Sequence, residues 1–320
     1  MRTGKVIQTL GIHVAFVLLF IGCTKSEPEP IVGSAINFAP QATRAVVTSL
    51  GNGDSFAVWA RESSNGTSNM ILTQEEVHCA DNVWSYNHLR YWKMGATYDF
   101  YALYPHNLSG VSLTDADNNQ PPYLVVSGFD ARNATDLMAA EQTNLTYSGN
   151  PSPVLFTFRH LLSKVEIVGR IDPALATAGV SGQIVDAKLY GMAATGDCTI
   201  DIGTYGRWEL SPISTAATPF QAAASIPISM DGSSLFGEML PVPQAVNDNF
   251  ILEVTYEYTD PYQATTRYTK TISLSTAGVS AWEPSMSYRY TFTLGNDYIL
   301  FEKPEVSPWR TASGGIITIE

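Results

Sequence analysis

Phe250-Ile251-Leu252-Glu253-Val254-Thr255-Tyr256-Glu257-Tyr258 sorts its side chains onto two faces. Phe250, Leu252, Val254, Tyr256 and Tyr258 share one, and Glu253, Thr255 and Glu257 share the other. A period of two belongs to a β-strand with a buried and a wet side. Thr259-Asp260-Pro261-Tyr262-Gln263 is turn chemistry, and the pattern resumes from Arg267 to Leu274, which predicts a hairpin. Similar runs occur at residues 56–60, 98–104, 154–158, 164–168, 183–190, 288–294, 298–301 and 316–319. No long stretch carries apolar residues at helical spacing, so the predicted fold class is all-β, with short strands arranged as sandwiches. Ala134 to Gln142 is the best helical candidate and reads equally well as a loop.

Composition supports packed cores. Hydrophobic residues make up 45% of the 320-residue chain and charged ones only 15%, which excludes a disordered protein. A formal net charge of −12 excludes a binder of the nucleic-acid backbone. Length suggests two domains at roughly 150 residues each. The breaker cluster Gly149-Asn150-Pro151-Ser152-Pro153 places the division between residues 45–155 and 156–320.

Arg2 and Lys5 precede an apolar run, Val6 to Ile21, that has the order of a secretion signal and is too short for a membrane span. It ends at Phe20-Ile21-Gly22-Cys23, which resembles a lipobox although Phe20 departs from the usual Leu. Residues 1–22 are therefore expected to be a lipoprotein signal peptide, with Cys23 lipidated at an outer membrane. Thr24 to Pro30 is a polar tether.

Motifs for chemistry are missing. The chain has no HExxH, GxSxG, P-loop or GxGxxG, and Gly51-Asn52-Gly53-Asp54 reads as a turn. Asp115-Ala116-Asp117-Asn118-Asn119 begins like a calcium loop, but Gln120 and Val126 replace the required Gly and Glu. Cys79 and Cys198 have no zinc spacing and are expected to be buried thiols, with a disulfide between them as the alternative. His160 follows Phe156 and Phe158 on one strand face and is expected at a core edge with a backbone partner. Glu75, Glu76, Asp99, Asp130, Asp136, Glu253 and Glu257 could supply a glycosidase pair, but solvation is the default for each. Tyr91-Trp92 and Tyr98 to Tyr104 form the densest aromatic block, in which Tyr91, Trp92 and Tyr101 are the candidates for a ligand surface. No cofactor or metal is called for, and no enzymatic activity.

Several of these segments, in order, resemble one family. The leader ending at Cys23, Ala35-Ile36-Asn37-Phe38, Thr43-Arg44-Ala45, Trp84-Ser85-Tyr86, Tyr91-Trp92 and Tyr98 to Pro105 are similar to the first half of the Bacteroidales fimbrillin family, the Mfa-like subunits of type V pili. Phe158 to Val165 resembles the segment joining the halves. Tyr288-Arg289-Tyr290, Val306-Ser307-Pro308-Trp309 and Gly315-Ile316-Ile317 resemble the C-terminal end. The resemblance implies two transthyretin-like β-sandwich domains in tandem, lipoprotein export, and cleavage by an arginine-specific protease, here after Arg44 to leave Ala45 as the new terminus. A strand from another fimbrial subunit then fills the gap.

The residues themselves fit such a step. Ile36 and Phe38 share one face of a short removable strand within residues 23–44, and residues 40–44 make a loop accessible to a protease. Ile317 and Ile319 repeat the i, i+2 spacing, which makes residues 316–320 a candidate donor strand. The leading expectation is a fimbrial subunit at the cell surface. The alternatives are a surface lipoprotein or tip adhesin that binds a host or glycan receptor, and, further down, a lipid-anchored glycan hydrolase.

Overall fold

The computed structural model describes residues 33–41, 50–114, 121–149, 152–213, 220–222 and 225–309. Cys23, Arg44, Ala45, Ile317, Ile319 and the calcium-like loop at 115–119 lie outside the described residues.

The fold is all-β. In chain order the strands are β1 (Phe38–Pro40), β2 (Ser55–Ser64), β3 (Thr67–Ala80), β4 (Val83–Ser85), β5 (Thr97–Tyr104), β6 (Val111–Thr114) and β7 (Tyr123–Asp130). They are followed by β8 (Met138–Thr146), β9 (Val154–Phe156), β10 (Arg159–His160), β11 (Lys164–Ile171), β12 (Ser181–Tyr190), β13 (Thr195–Ile200) and β14 (Arg207–Leu210). Later strands include Ile251–Thr259, Thr265–Ser273, Met286–Leu294, Ile299–Phe301 and Glu305–Pro308. Among the described residues the sole α-helix is the five-residue Pro173–Thr177, started by Asp172, whose carboxylate accepts from the Ala174 amide at 2.7 Å. No helix among the described residues is long and apolar enough to cross a membrane.

One sheet runs β10-β8-β5-β2-β3-β4 and another β14-β13-β7-β6. The strand β5 lies inside the first and is buried on both faces. Tyr98, Phe100 and Ala102 enter a core with Phe56, Val58, Phe156 and Phe158, whereas Tyr101 and Leu103 enter a second core with Trp59, Leu124, Val126 and Cys198. The second core draws on residues before and after the breaker cluster, because β13 pairs with β7.

A third core belongs to residues 165–294. There the predicted hairpin is present: Ile251–Thr259 pairs antiparallel with Thr265–Ser273, with Thr255 opposite Thr269. The apolar face is buried, with Leu252, Val254 and Tyr256 each at 0% exposure. On the other face Glu257 accepts from Gln183 Nε2 at 2.9 Å and from Arg267 Nε at 2.8 Å, and the Thr255 and Thr269 hydroxyls meet at 2.9 Å. Asp260 closes the turn by accepting the Tyr262 and Ala264 amides. Across the core, β11 pairs parallel with Met286–Leu294 over eight residues.

One expectation changes, and one long strand is not foreseen by the pattern. Residues 134–142 are not helical: 134–137 are loop, with Ala134 at φ 50°, and from Met138 the chain becomes β8. Ala139 and Ala140 of β8 lie opposite Leu103 and Ala102 of β5, and small side chains facing a packed strand decide the matter over intrinsic helix preference. The longest strand described, β3 at 14 residues, has no clean alternation in sequence. Its register against β2 shifts near Ala60, and Gln74 adopts φ 52°, so a bulge breaks the period of two.

Cys79 and Cys198 are both buried and free. Burial pushes the Cys198 thiol up to about 12; burial, then the Asp54 charge, raises that of Cys79. Neither is therefore a ready nucleophile at neutral pH. In a Cys23→Ser variant, an aromatic disulfide reagent should titrate no thiol in the folded protein and two after denaturation; a reactive thiol before unfolding, or none after it, would contradict this arrangement.

Candidate functional site

Residues 34–41 form a short extended segment held between two other parts of the chain. Ile36 and Phe38 point inward at 0% and 2% exposure, and Asn37 between them points out. The expected alternation is present, although the regular strand is only β1 (Phe38–Pro40) with Ala35 an isolated bridge before it, and each buried side chain contributes roughly 1.5–3 kcal/mol.

Both edges of the strand are used. On one side β1 runs parallel to β9, with Phe38 opposite Val154 and Pro40 opposite Phe156. There the Val154 amide donates to the Asn37 carbonyl and the Gln41 amide to the Phe156 carbonyl, each at 2.7 Å. On the other side Ala35 bridges Tyr91 antiparallel. The Ile36 amide donates to the Arg90 carbonyl at 2.8 Å and the Trp92 amide to the Ser34 carbonyl at 3.0 Å. The segment therefore occupies a slot between two neighbours.

The floor of the slot is aromatic. The Phe38 ring lies 5.2 Å from Tyr86, 5.6 Å from Phe100 and 5.9 Å from Phe156, the last stacked. Such contacts add to simple burial. The Tyr86 hydroxyl donates to the Ile36 carbonyl at 2.9 Å, and burial raises its pKa, so it stays a protonated donor. The Thr157 hydroxyl meets Gln41 Oε1 at 3.1 Å where the strand ends.

Among the described residues no three His, Cys, Asp or Glu side chains are grouped to hold a metal ion. Several of the carboxylates singled out are engaged locally: Glu75 with His88, Asp130 with Arg132, and Glu253 with Lys188. His160 is buried at 2% exposure, but its partner is the Asp136 carboxylate at 2.7 Å rather than a backbone group, and its ring stacks on Trp309 at 3.7 Å. The carboxylate comes from the turn before β8, a contact that sequence order does not reveal.

Ile36 and Phe38 are thus brought together with Tyr86, Phe100 and Phe156. The three residues proposed as a ligand surface separate. Tyr91 is 44% exposed, whereas Trp92 and Tyr101 are buried at 7% and 3%. Trp92 packs edge-on against Tyr98 at 4.8 Å, and Tyr101 belongs to the second core. A surface made of all three is therefore corrected to Tyr91 alone. Sequence reasoning missed that residues 86–92 and β9 flank the strand. Val154 and Phe156 gave the signal of a strand, but a parallel partner more than a hundred residues away leaves no local trace.

Phe38→Ala in the uncut chain should lower unfolding stability by about 3–5 kcal/mol in urea titration, as for a large aromatic removed from a core. A loss below about 1 kcal/mol would mean that the slot does not depend on its occupant.

A family model described as fimbrillin-like matches residues 43–309. The fold is similar to that of a fimbrial protein from Bacteroides vulgatus, at 18% identity and a TM-score of 0.65, covering 86% of this chain and 99% of that one. It is also similar to a chain assigned to cell adhesion from Bacteroides ovatus, at 17% identity and a TM-score of 0.50, covering 87% and 96%. No curated protein sequence matches the chain.

Proposed function

The chain belongs to the fimbrillin-like family, a family of fimbrial structural proteins rather than enzymes, and from that premise we propose that it is a subunit stored in an inactive form and polymerised by strand replacement at the cell surface. It is exported as a lipoprotein, with Cys23 acylated and anchoring it to the outer membrane. An arginine-specific protease cuts after Arg44, and residues 23–44 depart with the lipid. A strand from another subunit then enters the slot, with residues 316–320 as the donor and Ile317 and Ile319 in the places of Ile36 and Phe38. On this reading the body consists of two transthyretin-like sandwiches, 45–155 and 156–320, with β10, β13 and β14 of the second part completing the sheets of the first.

The observation that carries this reading is the double-edged slot. A strand whose carbonyls and amides are bonded on both sides leaves apolar floor and unpaired backbone on both flanks when it goes. Buried unpaired backbone groups are costly, so the vacancy is driven to accept another strand. Addition of a donor to an acceptor on the next copy is head-to-tail and gives an open filament. The net charge of −12 of the whole chain becomes about −14 once residues 1–44, with Arg2, Lys5, Lys25 and Arg44 against Glu27 and Glu29, are gone, and it disfavours lateral clumping of such filaments. The second reading, an adhesin at the filament tip, is favoured by a cluster of exposed apolar side chains, Leu89, Tyr91 and Met94, in one surface segment.

The test is expression in the native host followed by N-terminal sequencing and size analysis of surface material. The wild type should begin at Ala45 and be polymeric; Arg44→Ala should remain an acylated monomer starting at Cys23. Polymers formed by Arg44→Ala would overturn the proposal. Deleting residues 314–320 should give monomers that are processed but do not assemble.

A further inference from the structure

The strand 34–41 is closed in by a segment with its own fastenings. Tyr86 and Tyr98 bracket residues 87–95, and their hydroxyls act alike. The Tyr86 hydroxyl donates to the Ile36 carbonyl and accepts from the Arg90 amide at 3.0 Å. The Tyr98 hydroxyl donates to Glu62 at 3.3 Å and accepts from the Lys93 amide at 2.8 Å. Burial raises the pKa of both phenols and keeps both protons in place. Glu62, only 7% exposed, also receives Lys93 Nζ at 2.8 Å. Further along, Arg90 Nε donates to the Ile71 carbonyl at 2.8 Å, and the His88 amide donates to Glu75 at 3.1 Å.

These fastenings lie at discrete points, and the stretch between them is loosely held. Leu89, Tyr91 and Met94 are 48%, 44% and 70% exposed, and Gly95 turns the chain at φ 76°. Beneath it the Trp92 indole N–H is buried with no hydrogen-bond partner. An unpaired buried donor raises the free energy of the closed state and so lowers the cost of opening. Segments with few buried contacts open locally, below the free energy of global unfolding. This segment reaches the core through Tyr86 and Ala96 near its ends and Trp92 between them, at 6%, 1% and 7% exposure, and every other residue from 87 to 95 is exposed. On the opposite flank, by contrast, two of the three residues of β9, Val154 and Phe156, are buried at 2% and 0%.

We propose that residues 86–96 are a strap that opens to release the strand 34–41, so that its fastening by Glu62 and Arg90, and not the cut at Arg44 alone, sets how fast the strand is replaced. This rests on the reading that residues 34–41 are exchanged for a donor. Opening frees the Ile36 and Trp92 amides together, since they bond across the same edge, and leaves Val154 and Gln41 bonded on the other.

Amide hydrogen exchange on the uncut chain, read residue by residue by NMR, tests the strap separately from polymerisation. The Ile36 and Trp92 amides should exchange faster than those of Val154 and Gln41. Glu62→Gln should accelerate the first pair by about tenfold, the scale of one weakened charge-assisted hydrogen bond, and leave the second pair unchanged. Arg90→Ala, which frees the Ile71 carbonyl without touching Glu62, should do the same. Equal rates for all four amides, or a variant that accelerates all four alike, would overturn the proposal, because the strand would then leave both edges at once. In chain cut after Arg44, release of the N-terminal segment should quicken by the same factor in Glu62→Gln; unchanged release despite a faster strap would overturn the control of exchange while leaving subunit assembly itself intact.

Discussion

A β-strand has two hydrogen-bonding edges, and residues 34–41 use both. That constraint organises the whole N-terminal core. Parallel β9 can lie where it does because β1 pairs with it, and the loop after β4 stays close because Ser34 and Ile36 bond to Trp92 and Arg90. Phe38 completes an aromatic cluster of Tyr86, Phe100 and Phe156, and those rings also pack on Phe56, Trp92 and Tyr98. The strand therefore contributes like a core element while being joined to the body through residues 42–49 alone.

Such an arrangement separates two requirements that a polymer-forming subunit has to meet. An unoccupied slot exposes apolar floor and bare edges, which invites indiscriminate strand addition. An occupied one is inert. Filling the slot with a segment of the same chain makes the occupant intramolecular, so it outcompetes other strands for as long as the chain is continuous. One sheet edge away from the slot is protected from edge-to-edge association: the exposed strand Thr265–Ser273 presents Thr265, Arg267, Thr269 and Thr271 to solvent, polar residues unsuited to a dry interface.

Sequence pattern revealed most where one face of a strand is wet. Residues 250–258 alternate because Glu253, Thr255 and Glu257 meet solvent and polar partners, and the hairpin follows directly from that alternation and its turn. Ile36 and Phe38 were readable for the same reason. Where both faces are buried the pattern loses its meaning. Tyr98 and Tyr101 fall on opposite sides of β5, yet both are core, so parity could not tell that Tyr101 was unavailable to a ligand. Bulges hid β3, and cross-strand packing turned the alanine-rich 138–142 into β8. The flanks of the slot were hidden for a further reason: the Tyr91 and Val154 neighbours of the strand depend on topology, which no local signal encodes.

The central claim is that residues 34–41 are a ligand of the slot rather than an inseparable part of the fold. It is tested most directly by thermal unfolding of a chain lacking residues 1–44, titrated with a synthetic peptide of residues 33–41. The truncated chain should fold with a lowered Tm, and the peptide should restore it saturably, by the linkage between ligand binding and stability. A peptide in which Ile36 and Phe38 are both replaced by Ser should have no effect. A truncated chain as stable as the full one and indifferent to the peptide would contradict the claim, as would one that never folds with the peptide present.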